Sequence, residues 1–401
     1  MMEFYVTLAP GLEEVSAKEL EALGCEVLEL RRDKGRIFLR GKENHIAELN
    51  YFARTIERVI FLLLREKIEN LQEIYKFTKK IDFAPWIKPK QSFAVRAKRV
   101  GEHDFTSIDI ARVVGQAVID SYRESTNVRL KVNLTQPEII VRAEVVFDEL
   151  LIGLDLTGDE ALHKRGYRIY QHPAPLNPSI AASLVMLSNW SAEKSLLDPM
   201  CGSGTILIEA ALLGRNIPPG EFRNSYAFIK IFGDDILEEA KGKVEEKNVK
   251  LELYGLEKFK KHVNGAMKNA EKAKVSDTIT FLKGDATKLE KIFNKSFDVV
   301  IVNPPYGLRI ARKGIIRKLY NNFLRSLKKI IHGKTEIIVI TAEDKVFKEL
   351  ASADYTIKKE IKVKYGNLDA KIFMLSLYQR YSGDYQNSSY QAIERELLSK
   401  H

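Results

Sequence analysis

This 401-residue chain predicts an α/β protein whose C-terminal part is a doubly wound, Rossmann-like sheet preceded by smaller α/β units. Three observations carry that expectation. From Ser195 to Arg380 short apolar strands alternate with helical segments, an order that places parallel strands in one sheet with helices on both faces. One strand-to-helix junction, LLDPMCGSGTILIEAA from Leu196 to Ala211, breaks at Cys201, Gly202, Ser203 and Gly204 and restarts as an apolar helix at Thr205. A second apolar strand, FDVVIV, delivers Asn303, Pro304, Pro305, Tyr306 and Gly307 to a loop.

Taken in order, residues 1–64 alternate FYVTLA, a helical EEVSAKELEALG, the strand-like runs CEVLEL and GRIFLR, and HIAELNYFARTIERVIFLLL, which starts helically and ends as a strand. That mixture reads as a small α/β layer, and it resembles the ferredoxin-like domain that accompanies RNA-modifying enzymes. Residues 65–160 hold a helical LQEIYKFTKKI, a strand SFAVRAKRV, a helix SIDIARVVGQAVIDSYRE and a strand pair EIIVRAEVVFDELLIGLDLTG. The string FAVRAKRVGEHDFTSIDIARVVGQAV resembles the THUMP domain of tRNA-modifying enzymes. Within this unit Arg96, Lys98 and Arg99 leave the central strand, and Lys164, Arg165 and Arg168 follow the last one. These six are candidate phosphate contacts, which fix register without reading sequence. His103 reads as a turn histidine.

Residues 161–180 form a proline-containing linker, GYRIYQHPAPLNP, that opens a helix at Pro178 or Ser179. Residues 181–381 hold the doubly wound unit: strand SLLDP, helix GTILIEAALLG, strand KLELYGLE, helix KFKKHVNGAMKNAEKA, strands TITFLKGDA and FDVVIVNPP, a helix from Ile315 to His332, strand TEIIVIT, a further helix, and a closing strand pair. Residues 382–401 are a polar tail.

The glycine turn lets backbone approach a ligand, and the following helix presents free N–H groups to an anionic group. Asp198 falls at a strand's carboxyl end, where open α/β sheets bind ligands. Paired prolines hold the Asn303 loop extended. The Asn303 amide oxygen and the Pro304 carbonyl can then accept both hydrogens of a planar amino group, with Tyr306 stacking on the ring.

DPMCGSGT followed by NPPYG resembles the paired motifs of class I S-adenosylmethionine-dependent methyltransferases acting on planar amino nitrogens. The resemblance implies a cofactor site at Asp198, Cys201, Gly202, Ser203, Gly204, Thr205, Glu257, Asp285, Ala286 and Asn303, and a catalytic set of Asn303, Pro304, Pro305 and Tyr306. Glu257 takes the ribose hydroxyls, and Asp285 with the Ala286 N–H takes the adenine. An insertion, roughly Arg215 to Asn248, makes Asp234 or Asp235 a rival for the ribose. The PAPL-type segment, Pro173 to Leu176, is expected in the pocket wall.

The whole layout resembles the tRNA guanine-6 N2-methyltransferases of archaea and bacteria, which implies a tRNA partner held at its acceptor stem and 3′ CCA end. Relatives that modify guanosine 10 typically carry DPPY, and those that modify 23S rRNA carry NPPY in a larger fusion. A non-catalytic RNA-binding protein with a vestigial fold is the reading of another class. The formal charge of +10, from 64 Lys and Arg against 54 Asp and Glu, suits a polyanionic partner. Two distant cysteines argue against a disulfide framework or a metal cluster. With neither a signal-peptide pattern nor a membrane-length apolar run, the expectation is a cytoplasmic monomer that needs no metal.

Overall fold

The computed structural model describes residues 1–305, 313–366 and 368–378, which build two sheets with their helices. The first unit contributes β1 (Met2–Leu8), α1 (Glu13–Ala22), β2 (Glu26–Arg31), β3 (Arg36–Gly41), α2 (Asn44–Phe52) and β4 (Ile56–Lys67). The second contributes α3 (Leu71–Lys79), β5 (Ser92–Val100), α4 (Ser107–Thr126), β6 (Lys131–Val132), β7 (Ile139–Val146) and β8 (Glu149–Asp155). All eight strands join one sheet in the order β2-β3-β1-β4-β8-β7-β5-β6. The seam is β4 against β8, antiparallel from Ile60↔Asp155 to Lys67↔Glu149. With β1 on its other side, β4 leaves no edge between the two units. Strand β6 has only two residues, too few to show a period in sequence.

Local chemistry sets the helix ends. The Thr106 and Asp109 side chains form a reciprocal capping box at the start of α4, and Asn127 closes it in the left-handed conformation, φ 60°. Helix α5 (Pro178–Leu187) begins at Asn177, whose side chain accepts from the Ser179 N–H, with Pro178 in the first turn.

The C-terminal unit continues with β9 (Leu196–Asp198), α6 (Thr205–Gly214), α7 (Ile229–Phe232), α8 (Asp235–Gly242), β10 (Leu253–Glu257), α9 (Lys260–Lys272), β11 (Ile279–Lys283) and β12 (Phe297–Val302). It ends with α10 (Lys313–Leu327), β13 (Ile331–Thr341), α11 (Asp344–Ala351), β14 (Tyr355–Tyr365) and β15 (Leu368–Leu377). The strand order is β11-β10-β9-β12-β13-β15-β14. The first five strands are parallel, and β15 and β14 are antiparallel additions. The order in which strands are added reverses between the parallel neighbours β9 and β12, a topological switch point where such sheets open a crevice.

Helix α10 stops at Leu327 rather than His332 because Ile331 pairs with Phe297 and the Thr335 hydroxyl donates to the Phe297 carbonyl at 2.7 Å. Tyr306, Gly307 and the polar tail from Ser382 lie outside the described residues. No helix among the described residues is long and apolar enough to cross a membrane.

The insertion ties the two sheets together. Helix α8 packs on α2, Phe232 meets Trp86 with ring centroids 5.8 Å apart, and the Gln91 amide donates to the Lys230 carbonyl at 2.8 Å. Arg223 donates to the carbonyls of Thr157 and Glu160, just past β8.

Candidate active site

Strands β9, β10, β11 and β12 end along one edge, and each delivers one part of the site. After β9 the chain turns back at Cys201, whose N–H donates to the Leu256 carbonyl at 2.9 Å. Gly202 and Gly204 then take φ of 53° and 78°, a region that favours glycine. Space adds a second reason at Gly204, where a Cβ would stand 3.0 Å from the Phe281 ring and 3.2 Å from Ala266. Ser203 and Thr205 are buried with their hydroxyls 3.2 Å apart, and Thr205 opens α6. The free N–H groups of that first turn face the crevice end of the sheet.

Glu257, at the end of β10, is bound to this turn. Its Oε2 accepts from the Gly202 N–H at 3.2 Å and its Oε1 from the Phe259 N–H at 3.0 Å. Asp198 is 2 % exposed and accepts from the Met200 N–H at 3.1 Å. Burial, with the neighbouring Glu257 charge adding to it, pushes the Asp198 carboxyl up to about 8. Burial likewise holds the Cys201 thiol well above its ordinary range. Asp234 and Asp235 stand exposed at the start of α8, so the contact with the glycine turn belongs to Glu257.

At the end of β11, Asp285 caps a short turn: its Oδ1 accepts from the Thr287 N–H at 2.9 Å and hydroxyl at 2.8 Å. Its Oδ2 lies 3.7 Å from the Lys258 ammonium. Burial acts upward on this carboxyl, but the Thr287 hydrogen bonds and the Lys258 and Lys288 charges outweigh it and lower its pKa. Ala286 beside it is buried.

Strand β12 ends at Val302 and delivers Asn303, whose buried Oδ1 has no hydrogen-bond partner among the described residues. Such an orphan is costly, about 1–3 kcal/mol. Pro304 is buried and Pro305 exposed, with the Pro305 carbonyl 3.4 Å from the Tyr320 hydroxyl. The acceptor-rich set of Asp198, Glu257, Asp285 and Asn303 around a glycine turn fits S-adenosylmethionine, which brings hydroxyl and amino donors and a cationic centre. Glu257 could hold the ribose, Asp285 and Ala286 the adenine, and the glycine turn the amino-acid end.

The linker supplies residues that sequence reasoning missed. His172 covers the glycine turn, since a Cβ on Gly202 would lie 3.7 Å from its ring. Burial lowers the His172 pKa, and its ring centroid lies 4.3 Å from that of His262. The Tyr170 hydroxyl meets His262 Nδ1 at 2.6 Å, and Asn269 bonds the Tyr170 backbone as well as the Ser203 carbonyl. The only sequence signal was their position beside the two motifs.

Of the basic candidates, Lys98, Arg99 and Lys164 are exposed. Arg96 donates to the Leu134 carbonyl at 3.0 Å, and Arg99 to the His103 carbonyl at 3.2 Å. His103 in turn meets the Phe147 carbonyl at 2.6 Å, a turn role. Arg168 is half-buried, and its Nε has no hydrogen-bond partner among the described residues. Arg165 must be removed from the RNA-facing set. It is 6 % exposed and donates to Glu209 at 3.2 Å, to the Arg54 carbonyl at 2.7 Å and to the Leu162 carbonyl. The Tyr167 hydroxyl shares Glu209 at 2.7 Å. Arg165 is a buried strut between linker, α6 and the first unit, because Glu209 on the apolar helix α6 needs a cation.

Comparison with known proteins adds independent findings. Residues 165–372 match a family model described as an RMKL-like methyltransferase domain, residues 69–155 a THUMP domain, and residues 3–60 an RlmL ferredoxin-like domain. A tRNA (guanine(6)-N2)-methyltransferase of Methanocaldococcus jannaschii is 54% identical over 383 residues, 94% of this chain and 100% of the relative. One of the same name from Archaeoglobus fulgidus is 50% identical over 378 residues, 94% of this chain and 93% of the relative. A solved putative methyltransferase, SMU.472, complexed with SAH, superposes with a TM-score of 0.82 at 25% identity, covering 94% of this chain and 98% of its own.

Proposed function

The chain belongs to the RMKL-like methyltransferases that carry a THUMP domain, and on that premise we propose that it methylates the N2 amino group of guanosine 6 in tRNA. The observation that carries this reading is the buried, unpartnered Asn303 oxygen one strand from the glycine turn. An exocyclic amino group is the donor it lacks.

When bound, S-adenosylmethionine supplies the electrophilic methyl group. The residues of this chain do the rest by position. Asn303 Oδ1 and the Pro304 carbonyl accept the two N2 hydrogens, which draws the nitrogen lone pair out of conjugation with the base and aims it. Pro304 and Pro305 keep the loop extended so that this pair of acceptors does not reorganise. Catalysis then rests on positioning and electrostatics, and the target nucleotide must leave its stack to arrive. Arg96, Lys98, Arg99, Lys164 and Arg168 contact phosphates, with the THUMP unit holding the acceptor stem and 3′ CCA end. We further infer a monomer that works in the cytoplasm.

The test is methyl incorporation from labelled S-adenosylmethionine into unmodified tRNA transcripts, with nuclease digestion and mass mapping. N2-methylguanosine at position 6 is expected. Methylation at guanosine 10 would overturn the site; a protein that binds no S-adenosylmethionine would overturn the enzyme.

A further inference from the structure

The linker and α9 meet at one place. The Tyr170 ring occupies the space above Gly265, where a Cβ would come within 2.1 Å of it, and Asn269 holds the Tyr170 backbone. On a helix, positions four before, three after and seven after a residue share its face. For Gly265 those positions are Lys261, Lys268 and Lys272, and all three are exposed. Among the described residues none of them forms an ion pair with a carboxylate, and Glu271 is the one exposed acid on α9. Two residues before Tyr170 stands Arg168, and Lys164 lies exposed upstream.

The arginine groups of the first sheet are neutralised by carboxylates. Around Phe38 in the first sheet, Arg31 and Arg65 pair with Glu29 and Glu149, and Arg36 pairs with Glu144. Arg58 and Arg142 pair with Asp155. A paired lattice of that kind presents little net field. The stripe on α9 keeps its charge, and it frames the linker that covers the glycine turn.

We propose that Lys261, Lys268 and Lys272, beside the point where Tyr170 crosses α9, form a phosphate track for the backbone of the substrate tRNA. This track rests on the tRNA reading above and adds a second RNA contact, on the catalytic unit itself. It binds nucleic acid through charge alone and carries no sequence preference. Its purpose is to seat the RNA beside the cofactor crevice after the N-terminal units have engaged it.

The experiment compares the full-length protein with K261Q/K268Q/K272Q and with the charge-preserving K261R/K268R/K272R. Binding of an unmodified tRNA transcript is followed by fluorescence anisotropy across a salt series, alongside methylation kinetics. In the glutamine variant the slope of log affinity against log salt should shrink by about 2 to 3, and the tRNA KM should rise about tenfold. The arginine variant should restore both, with S-adenosylmethionine affinity and melting temperature unchanged throughout. An unchanged slope and KM in the glutamine variant would overturn the track. Wild-type protein that binds tRNA without methylating it would overturn the functional reading alone, because the slope comparison is made on binding.

Discussion

Replacing Asn303 by Ala separates a catalytic acceptor from a structural one. If its Oδ1 held the fold together, truncation would expose the loss of a hydrogen bond. The oxygen has no partner in the described protein, so Ala removes an unsatisfied acceptor that costs about 1–3 kcal/mol. That relief offsets the packing lost at a half-buried side chain, and the melting temperature should hardly move. Activity should respond differently, because the acceptor acts where charge develops. Losing one preorganised hydrogen-bonding group of this kind costs about 10²–10³ in kcat, near 2.7–4 kcal/mol. Asn303→Asp keeps an acceptor and should fall less than Ala. The assay is single-turnover methyl transfer into tRNA at saturating cofactor, paired with calorimetry. Full activity in Asn303→Ala refutes the reasoning, as does a large fall in melting temperature.

Further outcomes follow from the same geometry. Glu257→Gln should weaken S-adenosylmethionine binding by about tenfold or more, read by calorimetric titration, because a charge-assisted acceptor becomes a neutral one. Arg165→Met should destabilise by about 3–5 kcal/mol in urea unfolding, since it strands the buried Glu209 charge, yet leave the salt dependence of tRNA binding unaltered. Asp198 has a folded-state pKa near 8, above that of an unfolded aspartate, so the native state holds the extra proton between the two values. Stability of the cofactor-free protein should therefore fall as pH rises from about 4 to about 8, and Asp198→Asn should flatten that fall in denaturant titrations. Replacing Arg96, Lys98 and Arg99 by Ala should reduce the salt slope of tRNA binding by about 2 to 3. A parallel slope would take them out of the footprint.

Much of the architecture was legible because its signals are local. The LLDPMCGSGT string and Asn303 to Pro305 sit at strand ends, and a glycine turn or a proline pair dictates backbone shape without help from distant residues. Glu257 and Asp285 were legible for the same reason, as acids closing apolar strands. Two kinds of feature were hidden. Arg165 looked like its neighbours Lys164 and Arg168 in a basic run, and only the arrival of Glu209 and the Arg54 carbonyl makes it a buried strut. His172 looked like a residue in a proline linker until the linker folded back over Gly202.

The sequence by itself determined the order of elements and the carboxyl-edge motifs, since periodicity and turn chemistry act within a few residues. The tertiary structure alone decided that the first eight strands share one sheet through β4 and β8. It also decided which arginine is buried, that the Asn303 oxygen lacks a partner among the described residues, and that lysines on α9 frame the linker. Burial and pairing depend on which distant groups come to rest nearby, and that information belongs to the folded chain.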